Sequence, residues 1–135
     1  MAIWTEVRLN PIYQGEPTFG DLDTVLRDQG FMFHNFMYLK TVPLGLRSTR
    51  RTVRRAHFKH VVDGDAIYIR DPASESVSDA QIFTLGILAA GVLQSYELAL
   101  HCVRLLVARG ALSEEHANSF MVALPDGVLR QPVTA

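Results

Sequence analysis

The chain has 135 residues, 48% of them apolar and 20% charged, with a formal net charge of −1. That length suits one domain with a sizeable core rather than two, and the composition excludes a disordered chain. The charge is uneven: Arg47 to Lys59 carries six basic residues and no acid, leaving seven basic against fourteen acidic groups elsewhere, a net −7.

In chain order, Ile3 to Leu9 alternates, with Trp4, Glu6 and Arg8 opposite Ile3, Thr5, Val7 and Leu9. This predicts a strand with one wetter face, close to a sheet edge. Asn10-Pro11 and Gly15 to Pro17 break it. Thr18 then caps a helix with apolar positions Phe19, Leu22, Val25 and Leu26. Asp21 and Asp23 favour the positive end of its dipole, and Gly30 ends it. "FMFHNFMYLK" reads as a second strand, and "TVPLGL" ends regular structure. After the basic segment "RSTRRTVRRAHFKH", Asp63-Gly64 is a turn signal and Ala66 to Arg70 a third strand closed by Asp71-Pro72. "ASESVS" is a polar linker with Ser78 as a helix cap.

Asp79 to Arg109 is apolar around most of a helical circumference, and predicts one long helix or two abutting ones buried on more than one side. Gly86 and Gly91 permit close packing or a kink. Gly110 ends this region, Ser113 starts a short helix to about Leu124, and the tail from Pro125 onward is expected to be loose. The organisation is a single α/β domain over 1–124, with the sheet and its helix in 1–72, a helical extension in 79–124, and a tail over 125–135. No run reaches the roughly 20 apolar residues of a membrane span. Met1–Trp4 runs straight into Glu6 and Arg8 without a signal-peptide pattern. The single cysteine, Cys102, lies among apolar residues and fits a reducing compartment, so a cytoplasmic protein is expected.

Phosphate-loop, dinucleotide and nucleophile-elbow glycine motifs are absent, as is any Cys/His pair at metal spacing. His57 and His60 flank Lys59 amid arginines, a poor setting for zinc. Arg47, Arg50, Arg51, Arg54 and Arg55 would share one face of a helix and, with Lys59, are candidate contacts for a phosphorylated ligand or a nucleic-acid backbone. The alternative is an exposed connection whose charges are solvated or pair with acids elsewhere. Apart from Phe58, no aromatic residue interleaves with these cations, as single-strand binding would want. Asp63, Asp65 and Asp71 flank the third strand, where turn and cap duty competes with ligand contact. Tyr13, Gln14 and Asp65 are the candidates at strand ends, where open α/β sheets bind ligands.

"EVRLNPIYQGEPTFGDLDTVLRDQGFMFHNF", followed by "DAIYIRDP", resembles the C-terminal half of FkbM-type S-adenosylmethionine-dependent methyltransferases. The matching positions are Glu6, Tyr13, Gly15 or Glu16, Pro17, Phe19, Leu26, Arg27, Gly30, Phe31, Asp65, Ala66, Tyr68, Arg70 and Asp71, and "SYELALHCVRLL" looks like a helical extension of some members. The resemblance implies a small three-stranded mixed sheet, the fifth, seventh and sixth strands of a class I methyltransferase sheet, with a long apolar C-terminal helix or helix pair. The third strand of this chain would insert antiparallel between the other two.

The family's cofactor site lies in a glycine-rich N-terminal half that no segment here matches, so S-adenosylmethionine is implied by the family but not held by this chain alone. One edge of the first strand would be bare. The expectation is a self-associating assembly module, with the apolar helix Gln81–Val107 contributing much of the interface, through helix exchange or edge-to-edge strand pairing, or an O-methyltransferase portion completed by a partner chain. A phosphate or nucleic-acid binder is the third possibility. Trp4, Phe83, Ile87, Leu93 and Tyr96 are the interface candidates.

Overall fold

The computed structural model describes residues 1–45 and 47–129, the side chains of 47–49 excepted. Leu46, in the predicted break, and 130–135, in the predicted loose tail, lie outside the described residues, as does the Arg47 side chain. Packing divides the chain into two compact units, Ala2–Arg70 and the residues from Asp71 onward.

The first unit is a three-stranded sheet with one helix on it. Strand β1 (Ala2–Arg8) and strand β2 (Phe31–Val42) flank a central β3 (His60–Arg70), which is antiparallel to both. Every pairing is therefore antiparallel. The expected mixed sheet is corrected, because β3 separates the two strands that run the same way. Helix α1 (Phe19–Asp28) joins β1 to β2. Asp21 Oδ2 accepts from the Thr18 backbone N–H at 2.7 Å, closing the first turn, and Gly30 leaves the helix at a φ of +80°. That left-handed exit suits a residue with no Cβ.

The core of this unit collects Val7, Leu26, Ala66 and Tyr68, with Ile3, Leu9, Phe19, Leu22, Phe31, Phe33 and Phe36 packed around them. Val25 does not join it and is exposed. Phe33 and Phe36 are three residues apart, a spacing that strand alternation would send to opposite faces. A register shift between Phe33 and Asn35 brings them back to one face, opposite Tyr68 and Ala66. With Phe19 and Tyr68 they form an aromatic cluster whose ring centroids lie 4.7–6.5 Å apart.

The predicted turn at Asp63-Gly64 is not there. Both residues lie inside β3, which begins at His60 rather than Ala66. Here glycine answers a close approach of backbone, since a Cβ at Gly64 would strike the Tyr38 carbonyl oxygen and come within 2.8 Å of Leu39 Cδ2. The basic segment also departs from expectation. Helix α2 covers only Arg47–Thr52, and Arg54 is extended before a single 3₁₀ turn at Arg55–His57, so the five arginines do not share one helical face.

In the second unit, "ASESVS" forms turns. The backbone N–H groups of Ser74 and Val77 donate to the Asp71 and Ser74 carbonyls, and Val77 is buried. Helix α3 (Asp79–Leu88) starts at a Ser78 cap that accepts from Gln81 N–H. It passes into a π-helical turn (Ala89–Leu93) that ends where Gln94 takes a left-handed φ of 53°. Helix α4 (Tyr96–Ala108) then runs back along α3. Arg109 reaches Asp79 at 3.3 Å, and midway a Cβ on Gly86 would sit 3.2 Å from Cys102 Cβ. Of the two predicted arrangements the pair is realised, as an antiparallel hairpin. Helix α5 (Glu114–Val122) follows a Ser113 cap that accepts from His116 N–H. Among the described residues no helix is long and apolar enough to cross a membrane.

Candidate functional site

The antiparallel register puts Arg8 beside Asp63 and Lys40 beside Asp63 from the other side, on the sheet face away from α1. Asp63 is 5% exposed. Its Oδ2 accepts from Arg8 Nη1 at 2.8 Å and from Lys40 Nζ at 3.0 Å, so the buried carboxylate is paired twice. A buried carboxylate is tolerated only with such compensation. Arg8 also meets Glu6 at 2.7 Å and Glu16 at 2.9 Å.

Glu16 ties the loop after β1 to this cluster. Its Oε2 accepts from the backbone N–H of Ile12 at 2.9 Å and of Tyr13 at 3.3 Å. Those backbone donors, Ile12 first, and the Arg8 side chain hold the Glu16 carboxyl below its usual range. Asn10 Nδ2 donates to the Val61 carbonyl at 2.7 Å, fixing the start of the same loop. The "NPIYQGEP" stretch is thus a strapped loop whose outer residues, Tyr13 and Gln14, stand in solvent. Asp65 lies in register between Glu6 and Tyr38 within the sheet, a residue of the ladder rather than of a strand end.

No family model, curated protein or solved structure matches this chain. Among the described residues no group of three or more His, Cys, Asp or Glu side chains is placed to hold a metal ion.

The basic segment borders two hollows. One, of about 580 Å³, is lined by residues that include Tyr38, Arg55, Phe58 and Lys59. The other, of about 530 Å³, is lined by residues that include Lys40, Pro43, Arg50 and Arg55. Arg51 and Arg54 are exposed and line neither. Of the interface candidates, Trp4, Phe83 and Ile87 are each more than half exposed, Tyr96 is partly buried, and Leu93 is buried at 8%. Phe83 and Ile87 line an apolar groove of about 250 Å³ with Gly86, Cys102, Leu106 and Phe120. Sequence reasoning missed Lys40 and Glu16 as partners of the Arg8–Asp63 pair, and Tyr38 beside the arginines. Alternating charge at Glu6 and Arg8 signalled a polar sheet face, but nothing local in the sequence names its cross-strand partners.

Proposed function

We propose that this chain is an assembly module: a methyltransferase-like remnant without an S-adenosylmethionine site of its own, which self-associates through the open edge of β1. The order β1-β3-β2, with β3 antiparallel in the middle, supports the methyltransferase-like ancestry. The reading includes a cytoplasmic setting, supported by the single cysteine being a buried free thiol.

The observation that carries the reading is the difference between the two sheet edges. β2 pairs with β3 through register shifts at Phe33/Asn35, Phe36/Tyr38 and Lys40/Thr41, whereas β1 keeps one unbroken register from Ala2 to Arg8. Bulges twist an edge away from strand addition, and a straight edge invites it. The Leu9 N–H donates to the Val62 carbonyl, in register with the ladder. By antiparallel alternation the backbone groups of Trp4, Glu6 and Arg8 point away from β3. A groove of about 460 Å³, lined in part by Thr5, Val7, Pro17, Leu22 and Val25, runs beside β1, and among the described residues no strand but β3 pairs with it. A second copy of β1 laid antiparallel along it would make a two-fold interface in which both edges are satisfied at once.

Sedimentation at micromolar concentration tests the reading. A dimer is expected, and a Glu6→Pro chain, which loses an outward N–H but no bond to β3, should run as a monomer with an unchanged circular-dichroism spectrum. A monodisperse monomer from the unaltered chain overturns it. Calorimetric titration with S-adenosylmethionine should give no heat of binding; binding by the chain alone would defeat the cofactor-free reading and favour a completed O-methyltransferase.

A further inference from the structure

The two hollows at the basic segment adjoin at Thr41, Arg55 and Phe58, which line both. Among the described residues no acidic one lines either. Among the described residues, Arg50, Arg51, Arg54, Arg55 and Lys59 make no ion pair, and Asp63, the acid held by Lys40, is already engaged by Arg8. These cations are therefore exposed and free of protein acids among the described residues.

Beside them stands an aromatic that the sequence order hides. Tyr38 comes from β2, is 53% exposed, and borders the same hollow as Phe58, Arg55 and Lys59. Uncompensated guanidinium groups next to an accessible ring suit a ligand that carries both a planar base and phosphates. Helix α2 has six residues and no continuation, which is too little to act as a major-groove recognition helix. The exposed Arg51 and Arg54, outside both hollows, extend the positive surface beyond what a single phosphate group needs.

We propose that this surface binds single-stranded nucleic acid, with a base stacked on Tyr38 and the flanking phosphates meeting Arg50, Arg55 and Lys59. The inference goes beyond edge pairing and uses none of its residues.

Fluorescence anisotropy with the full chain and a labelled oligothymidylate of about 15 nucleotides tests it. Binding should be tighter than to a duplex of equal length. The affinity should fall linearly with salt on a logarithmic plot, by about 0.7 in slope for each phosphate engaged. Replacing Arg50 and Arg55 together by Ala should reduce that slope by roughly 1.4. Tyr38→Ala should weaken single-strand binding about tenfold, and Tyr38→Phe should restore it. All three positions are exposed, so these changes leave the core intact. No binding at low salt overturns the proposal. So does duplex binding of equal strength that Tyr38→Ala leaves unchanged. Thymidine monophosphate that binds as tightly as the oligomer would overturn it in favour of a mononucleotide site.

Discussion

Gly64 faces Val7 on one side and Leu39 on the other, and the Tyr38 carbonyl oxygen occupies the space where its Cβ would be. The obstructing atom is backbone and belongs to a strand already shifted in register, so it has nowhere to retreat. Gly64→Ala should cost about 1–3 kcal/mol by overpacking, read as a lower urea midpoint at unchanged slope. A loss under about 0.5 kcal/mol would show that the strands yield freely. From the sequence, Asp63-Gly64 reads as a turn, because the dipeptide is common in hairpins. Its actual duties depend on residues more than twenty positions away: Asp63 receives Arg8 and Lys40, and Gly64 admits the Tyr38 carbonyl.

Among the elements, α1 was the most legible. Its cap, apolar spacing and terminal glycine are all local, and only Val25 fails to reach the core. β2 was legible as a strand but not as a bulged one, since the shift that aligns Phe33 with Phe36 arises only when both must pack on Phe19 and Tyr68. The helical hairpin was half legible. Apolar residues all round required burial on several sides, but the reversal at Gln94 is not encoded by a glycine or proline there. Gly86 makes the close α3–α4 approach possible, so Gly86→Val should destabilise the protein by about 1–3 kcal/mol in urea denaturation. Gly91 has open space around it, and Gly91→Ala should be neutral or gain up to about 1 kcal/mol. If the two variants behaved alike, close helix packing at Gly86 would be refuted.

Across the whole molecule, stability should form a plateau in pH with a loss on each side. Burial, reinforced by the Asp23 carboxylate, pushes the Tyr68 hydroxyl from 10.0 to about 12, and burial pushes the Cys102 thiol from 9.0 to about 11. Both groups hold their protons more tightly when folded. Their contributions are complete below pH 9 and fall away as pH rises through 11 and 12. On the acid side, Glu16, Asp21 and Asp23 are held below their ordinary values, chiefly by the Ile12 N–H, the Thr18 N–H and the Arg27 side chain respectively. Their contributions are present above the usual carboxylate range and are lost as pH falls through the lowered values. Urea midpoints across pH should show both limbs, and Tyr68→Phe should remove the later part of the alkaline one. An alkaline limb unchanged by Tyr68→Phe would contradict this assignment.

The sequence by itself determined β1, α1, most of β2 and the caps of the later helices, because caps, glycines and apolar periods act within a few residues. It also determined that the cations of 47–59 are separate from most of the acids. Only the tertiary structure decided that Asp63 lies inside a strand, that Tyr38 joins the arginines, and that β1 is left as the straight open edge. Each of those outcomes depends on register between strands far apart in the chain, and a shift of one residue would place different side chains on each face.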